Sequence, residues 1–506
     1  MPPLSRRHFV AAGAAALVSA PAIVRAQSGW RSDPFSLGVA SGDPEPDGFV
    51  IWTRLAPAPL DPPGGMPIKP VPATWEVASD EGFRSIVARG STVARPELAH
   101  SIHVEVAGLR PDRSYFYRFE AGGARSPVGR ARTFPLAAST PQRLRFGMAG
   151  CQDYQSGYYT AFRHLADEEL AFVFHYGDYI YEYGPDSPAV RTHVGDVLMS
   201  LDDYRRRYAQ YKSDSDLQRA HAAHPFFMTF DDHEVRNNWA GDFEDEDHAP
   251  PDVFRLRRQS AFQAWYEHMP VRRAQWPNGS ALQLYRNARF GNLARLDFLD
   301  TRQFRTNQPC DDGYKIACAE VRSPRAHIIN AEQEAWLARN LQRRDARWNV
   351  IAQQVMMMAL DCRKDAAPGK ILNLDSWAGY EVQRERLLAR MRGLNDVVVL
   401  TGDEHSNYAG LLHDRDRPVA VEFVGTSITS DGDGEDMPSF GAAYLANNLQ
   451  LKFVNNQRGY LTFDVSPDEW RTNFMVVDRV STPGGRLSKR ATFAVARGQP
   501  ALHSVA

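Results

Sequence analysis

Cysteine is scarce: the 506 residues contain four, Cys151, Cys310, Cys318 and Cys362. None forms a CxxC pair, which argues against a zinc ribbon. A dominant charge is also missing. The 59 basic and 61 acidic side chains leave a formal net charge of −2. Bulk attraction to nucleic acid or to an anionic membrane surface is therefore not expected, although local basic groups can still bind a small anion. Long apolar runs are confined to residues 10–23, and that stretch is short and alanine-rich for a membrane span. There is no internal repeat. What is present is ordinary globular composition, 43% hydrophobic and 24% charged, in a chain long enough for more than one domain.

The first 26 residues read as a targeting segment. Ser5-Arg6-Arg7-His8-Phe9 is a twin-arginine start, the apolar stretch follows, and Val24-Arg25-Ala26 is a small-residue cleavage site. This predicts a twin-arginine signal peptide over residues 1–26, with the twin-arginine export machinery as partner. The mature protein is expected to be periplasmic or secreted, without a stable membrane span. That route exports folded proteins, often with a cofactor already inserted.

Residues 35–134 read as an all-β module. Strand candidates are GFVIWT (48–53), ATWEVA (73–78), HSIHVEV (100–106) and SYFYRFE (114–120). Leu109-Arg110-Pro111-Asp112, followed by Tyr115 and Tyr117, resembles the late turn and strand of a fibronectin type III sandwich. An N-terminal β-sandwich is expected, as scaffold or as a wall beside the substrate. Asp43, in a polar, glycine-rich stretch, is read as part of a turn ahead of a functional role.

From residue 142 to 506 strands and helices alternate, as in a layered α/β domain. RLRFGMA (143–149) runs into Gly150-Cys151-Gln152. AFVF (171–174) runs into Gly177-Asp178 and Tyr181. FFMTF (226–230) runs into Asp231-Asp232-His233-Glu234 and Arg236-Asn237-Asn238. VVVL (397–400) runs into Gly402-Asp403-Glu404-His405. VIAQQVMMM (350–358) is a further buried-strand candidate. Tyr158, Phe162 and Leu165 share one helical face, Asn330 with Gln333 is a candidate capping box, and 380–391 has helical spacing. The acidic run 242–252 reads as a solvated loop, and 184–220 and 242–280 as loops that set pocket width.

Apolar strands that end in Asp, His and Asn sets are hard to explain by packing alone, because gathering such groups out of water is costly without partners. A metal centre supplies the partners. Cys151 offers a thiolate, Asp178 a bridging carboxylate, Tyr181 a phenolate and His405 an imidazole. Thiolate with phenolate points to a transition metal such as iron. Asp232, Asn237 and Asp403 are oxygen donors suited to a harder cation such as calcium.

The chain resembles the PhoD family of alkaline phosphatases and phosphodiesterases. The resemblance is carried, in order, by GVASGDPEPDGFVIWTRL, GCQDY, HYGDYIYEY, FDDHEVRNNW, LDTRQFR and LTGDEHS. It is more distantly similar to purple acid phosphatases, with Cys151 and Asp403 standing where that wider group has aspartate and histidine. The resemblance implies a four-layer αββα metallophosphatase core. It also implies ferric iron (Fe3+) on Cys151, Asp178, Tyr181 and His405. Calcium (Ca2+) would then sit on Asp178, Asp403 and a donor from the 232–238 loop, with Asp232 and Asn237 both candidates.

The function read from these features is an exported metal-dependent phosphoesterase of alkaline phosphatase D type. Its substrate is a small-molecule phosphate ester, mono- or diester. The cations activate a water for in-line attack at phosphorus. His233 and Arg236 are the candidate catalytic side chains that contact phosphate or leaving group. The rivals are a dedicated phosphodiesterase acting on cell-surface polymers or lipid head groups, and a calcium-stabilised extracellular binding protein without turnover. Cys310 and Cys318 flank a short polar segment and are candidates for a local disulfide.

Overall fold

A computed structural model describes residues 30–364, 368–394 and 396–505; the signal-peptide expectation for residues 1–26 lies outside the described residues. Two large sheets dominate. The ten-stranded sheet runs, in spatial order, Ser101–Val106, Gly48–Arg54, Val39–Glu45, Pro225–Met228, Val173–His175, Leu144–Ala149, Gly459–Val465, Glu469–Val477, Leu487–Ala496 and His503–Val505. Its four central strands, from Val39–Glu45 to Leu144–Ala149, are parallel. The seven-stranded sheet is built around the parallel strands Ala294–Phe298, Trp348–Ala352, Val397–Thr401 and Arg417–Val424.

Side-chain period explains how the sheets stack. In Leu144–Ala149 the alternate residues Leu144, Phe146 and Met148 point between the sheets, where they meet Phe172, Phe174, Phe298, Val350 and Leu400. Phe146 lies 4.7 Å from Phe172 and 4.6 Å from Phe463, ring centre to ring centre, in stacked geometry. The opposite face of the first sheet, through Val173 and Met228, packs on helices Thr160–Ala166, Leu201–Lys212, Ser215–Ala223 and Pro251–His268. The outer face of the second packs on Ala331–Gln342 and Glu381–Met391. The layers are therefore helix, sheet, sheet, helix, the αββα order implied by the resemblance.

The N-terminal strands form a sandwich around Phe49, Ile51, Val77, Tyr117 and Phe119. Its two sheets are unequal in standing. One, with Val71–Ala78, Ile86–Ala94 and Ser114–Ala121, stands alone. The other is the edge of the ten-stranded sheet: Ser41 pairs with Pro225 and Gly42 with Phe226. The β-rich N-terminal part is thus joined to the α/β core by a backbone ladder as well as by chain connection.

Several elements differ from the reading of the sequence. The strand expected over 226–230 is Pro225–Met228, and the strand expected over 350–358 stops at Ala352. Beyond Ala352 the backbone turns away to bond Glu422, whose carboxylate accepts from the Met357 and Met358 N–H groups at 2.7 Å. Residues 184–220 and 242–280 hold helices. Ser200 and Asp203 form a reciprocal capping box, Asp214 caps the next helix, and Pro251 starts the third. Cys310 and Cys318 are bonded as a disulfide. Among the described residues no helix is long and apolar enough to cross a membrane.

A buried carboxyl in the second sheet makes stability depend on pH. Burial outweighs the nearby Arg295 and pushes Asp297 up to about 7. One of its oxygens accepts from Asn340 Nδ2 at 2.7 Å and the other has no partner. A carboxyl raised in the folded state costs stability as pH rises from about 4, its unfolded value, to about 7, and the cost is constant above that. Asp297→Asn is therefore expected to raise the urea midpoint at pH 8, by the equivalent of at least about 1 kcal/mol. That gain should shrink towards zero as the pH is lowered to 4.

Candidate metal centre

The carboxyl ends of the parallel strands in both sheets converge on one edge. The turns that follow them are unusual. Cys151, Asp178, Asp403 and His405 all take positive φ, at 50°, 54°, 68° and 48°. Backbone of this kind in residues other than glycine persists only where the surroundings over-determine it. Two close approaches supply that constraint. The Tyr176 ring is wedged between Gly150 and Gly402: a Cβ on Gly150 would lie 2.3 Å from the ring, and one on Gly402 would lie 2.1 Å from it. The Tyr176 hydroxyl donates across the seam to the Thr426 carbonyl. Gly177, at φ 132°, lies so near the Asp231 backbone that a Cβ there would sit 2.5 Å from its nitrogen. Tyr176 thus spaces the turns bearing Cys151 and Asp403, and Gly177 lets the Asp178 turn meet the Asp231 turn.

The donors interlock around Asp178. Its Oδ2 accepts from Cys151 Sγ at 3.2 Å and from the Tyr181 hydroxyl at 3.1 Å. The same hydroxyl lies 3.2 Å from His405 Nε2 and 2.6 Å from Ser430 Oγ. His405 Nδ1 bonds Asp431 at 2.7 Å, which turns Nε2 towards the cluster. Within this cluster three groups have ligand atoms all within 4.8 Å of one another: Cys151, Asp178 and His405; Asp178, Asp232 and His233; and Asp231, Asp232 and Asp403. Asp178 belongs to the first two and Asp232 to the last two.

The electrostatics show what such a gathering needs. Burial, then the Asp232 charge, pushes the Asp178 carboxyl well above its ordinary range. Burial, then Asp231, does the same to Asp403. Burial, then Asp178, also raises the Cys151 thiol and the Tyr181 phenol. Protein alone thus favours the protonated forms, and a cation reverses that preference. Asp178 Oδ1 and Asp232 Oδ1 are buried without a hydrogen-bond partner. Unpartnered oxygens on shared carboxylates, beside sulfur, phenol and imidazole, fit a pair of unlike cations.

Two partners were not singled out from sequence. Arg302 is fully buried. Its guanidinium bonds Asp231 at 2.5 Å and Asp375 at 2.9 Å, and lies 3.7 Å from both Asp232 and Asp403. Its signal was the polar run LDTRQFR after the strand Ala294–Phe298. Glu182, one residue past Tyr181, is also fully buried and gathers the 232–238 loop. It accepts from the Asn237 N–H at 2.8 Å and from Arg236 at 3.4 Å, and lies 2.8 Å from His233 Nδ1. The His233 ring stacks on Tyr181 at 4.1 Å. Burial works against charge on His233, but the Asp232, Glu182 and Asp178 carboxylates outweigh it and raise its pKa well above the usual value.

The remaining sequence candidates lie further out. Arg236 is held by Glu246 at 2.6 Å and Asp247 at 3.0 Å as well as by Glu182. The Asn237 side chain donates to Glu246 at 2.7 Å. The acidic run 242–252 is therefore more than a solvated loop, because two of its carboxylates bind the loop that carries Arg236 and Asn237. Asp43 is salt-bridged to Arg286 at 2.8 Å, away from the cluster.

Residues 146–474 match the profile of the PhoD-like phosphatases, and residues 19–135 match that of the PhoD-like phosphatase N-terminal domain. The chain is 46% identical over 494 residues to alkaline phosphatase D of Bacillus subtilis (strain 168), covering 95% of this chain and 84% of that one. It superposes on a solved structure of PhoD with a TM-score of 0.91 at 46% identity, over 94% of this chain and 93% of the other. A purple acid phosphatase, PPD1 from yellow lupin seeds, matches with a TM-score of 0.55 at 13% identity, over 91% and 74% of the two chains. At that identity the likeness is one of fold alone.

Arg302 is a cation that the protein itself supplies to this cluster, with Arg305 beside it on Asp375. Arg302→Met is expected to destabilise the fold by about 3–5 kcal/mol, because Asp231 loses its buried ion-pair partner and Asp375 keeps only Arg305. Arg302→Lys should recover part of that loss but lack the second arm of the fork. Urea unfolding of the three proteins at one pH and one metal content measures both effects.

Proposed function

The chain belongs to the PhoD-like phosphatases and is a phosphoesterase; from that premise we propose that it acts after export, with ferric iron and calcium held at the strand ends described above. The observation that carries the metal assignment is the sharing of Asp178 between the Cys151–His405 group and the Asp232–His233 group. A carboxylate common to two donor sets is what a bridged pair of cations requires. Cys151, Tyr181 and His405 are the sulfur, phenol and imidazole donors that suit iron, with Asp178 between. Asp178, Asp232 and Asp403 are the oxygen donors that suit calcium. Asp232 is preferred to Asn237 because it lies in two of the donor groups, whereas the Asn237 amide is turned to Glu246. Bound there, the two cations supply Lewis acidity to the phosphoryl oxygens and acidify a water.

The chain's own residues position and protonate. With Nδ1 committed to Glu182, the His233 ring keeps Nε2 free at the edge of the Asp178–Asp232 group. It donates there to a phosphoryl oxygen or to the departing oxygen of the ester. Arg236 is bound by three carboxylates, so its role is to hold the 232–238 loop against Glu182 and the acidic run. Export is supported by the twin-arginine start at residues 5–9. The Cys310–Cys318 disulfide is consistent with an oxidising compartment such as the periplasm or the exterior.

Three outcomes test this reading. Purified folded protein should contain iron and calcium and show a visible charge-transfer band; a colourless protein holding calcium alone would remove Cys151 and Tyr181 as iron ligands. Asp178→Asn should lower turnover of p-nitrophenyl phosphate by at least about 10³-fold with an unchanged circular dichroism spectrum; full activity would sink the bridging role. Glu182→Gln should lower kcat by roughly 10²-fold. The loss should be larger for esters with poor leaving groups, a dependence that mere loosening of the loop would not produce.

A further inference from the structure

The metal cluster accounts for phosphate and says nothing of the organic group attached to it. A cavity of about 890 Å³ opens directly beside the cluster, with His405 and Asp431 on its near wall. Among the described residues its other walls mix four aromatic rings with charged and polar side chains. Tyr408 and Tyr444 are buried in the lining, Phe440 packs on Tyr444 at 4.7 Å, and Tyr314 closes the outer side. Charged groups stand among the rings, Lys364, Glu404, Glu435 and Arg458. The Glu404 carboxylate lies between Asn373 Nδ2 at 2.9 Å and the Tyr314 hydroxyl at 3.4 Å, and Lys364 stands over the Phe440 ring at the rim. A cavity of about 800 Å³ beside Glu381–Met391 touches none of the cluster residues.

Three separate segments meet to build this wall. Tyr314 comes from the short strand Tyr314–Ile316, paired with Ile371–Asn373 and tethered by the Cys310–Cys318 disulfide. Glu404 and Tyr408 come from the turn and strand after Asp403, and Phe440 and Tyr444 from the helix Gly441–Asn447 and the residue before it. Packing alone does not call for aromatic side chains around open space beside buried charge. A concave space where aromatic rings and charged groups converge beside such a cluster describes a ligand site.

We propose that this cavity is the specificity pocket of the enzyme. It seats the organic group of the ester, and it selects groups that are bulky, with an aromatic or otherwise apolar face and a hydroxyl or amine edge for Glu404. The proposal rests on the phosphoesterase reading of the adjoining centre and adds the substrate class to it. Esters of small alcohols such as methanol leave the pocket filled with water and gain nothing from its walls. Bulky groups displace that water and gain contact with four rings.

The test uses inhibitors that carry one organic group and cannot turn over. Inhibition constants for inorganic phosphate, methylphosphonate and phenylphosphonate are measured on the metal-loaded enzyme and on two variants. Ser439→Trp fills the cavity from an exposed position on its lining, and Tyr314→Ala removes the outer ring at a residue 54% exposed. Neither position is buried, so both variants are expected to fold, which circular dichroism checks. In the wild type phenylphosphonate should bind roughly 10- to 50-fold more tightly than methylphosphonate, from the apolar area that a phenyl ring buries. In each variant that ratio should fall towards one. A ratio near one in the wild type, or a ratio unchanged in either variant, overturns the pocket assignment while inhibition by phosphate leaves the metal-centre reading standing. Failure of phosphate and both phosphonates to inhibit overturns the metal-centre reading and the pocket with it.

Discussion

Five carboxylates, those of the buried Asp178, Asp231, Asp232 and Asp375 and the partly buried Asp403, are gathered together, and the rest of the molecule answers to that crowding. Like charges at this spacing repel strongly in a low-dielectric surrounding, and each also loses its hydration. The protein meets the demand in two ways. Arg302 is a permanent cation forked between Asp231 and Asp375 and close to Asp232 and Asp403. Asp178 Oδ1 and Asp232 Oδ1 have no hydrogen-bond partner among the described residues, and the proposed cations would supply one. Because the cluster is unfavourable without a counter-charge, it suits the cations proposed above.

Such a cluster can exist only if the backbone brings its members together against their repulsion. The cohesion comes from the apolar seam between the sheets, where Phe146, Phe172, Phe174, Phe298 and Phe463 interlock. Parallel strands in both sheets end on the same edge, so one packed seam aligns all the turns. Tyr176, wedged between Gly150 and Gly402, sets the gap between the turns bearing Cys151 and Asp403. The left-handed backbone at Cys151, Asp178, Asp403 and His405 then aims their side chains at one point. A residue larger than glycine at 150 or 402 would push the sheets apart at the site itself.

The surroundings divide the labour further. Glu182 draws the His233 loop inward, while Glu246 and Asp247 hold its outer side through Arg236. The disulfide-tethered strand Tyr314–Ile316 brings Tyr314 to the other flank. The metal centre therefore lies between an ionic wall that orients a donor and an aromatic wall that faces the open cavity.

Much of this was legible in the chain itself. Apolar runs ending in GCQ, GDYIY, DDHE and GDEH marked strand ends and their donors, because strand period and turn chemistry are local properties. The order of those motifs pointed to the family, and Ser200 with Asp203 carried a capping signal that residue spacing alone could have found. Other features were not local. Nothing in the run LDTRQFR says that Arg302 will sit among four aspartates drawn from three other segments, since that depends on how two sheets stack. Glu182 looked like one more acid after Tyr181 until the 232–238 loop folded over it. The merging of the N-terminal strands into the large sheet depended on Ser41 and Gly42 finding Pro225 and Phe226 far along the chain. Sequence determined which residues could hold metal, because ligand chemistry belongs to the side chain. Tertiary structure decided which of them share a carboxylate, which are neutralised by arginine, and where the open cavity lies, because those are matters of distance between segments remote in sequence.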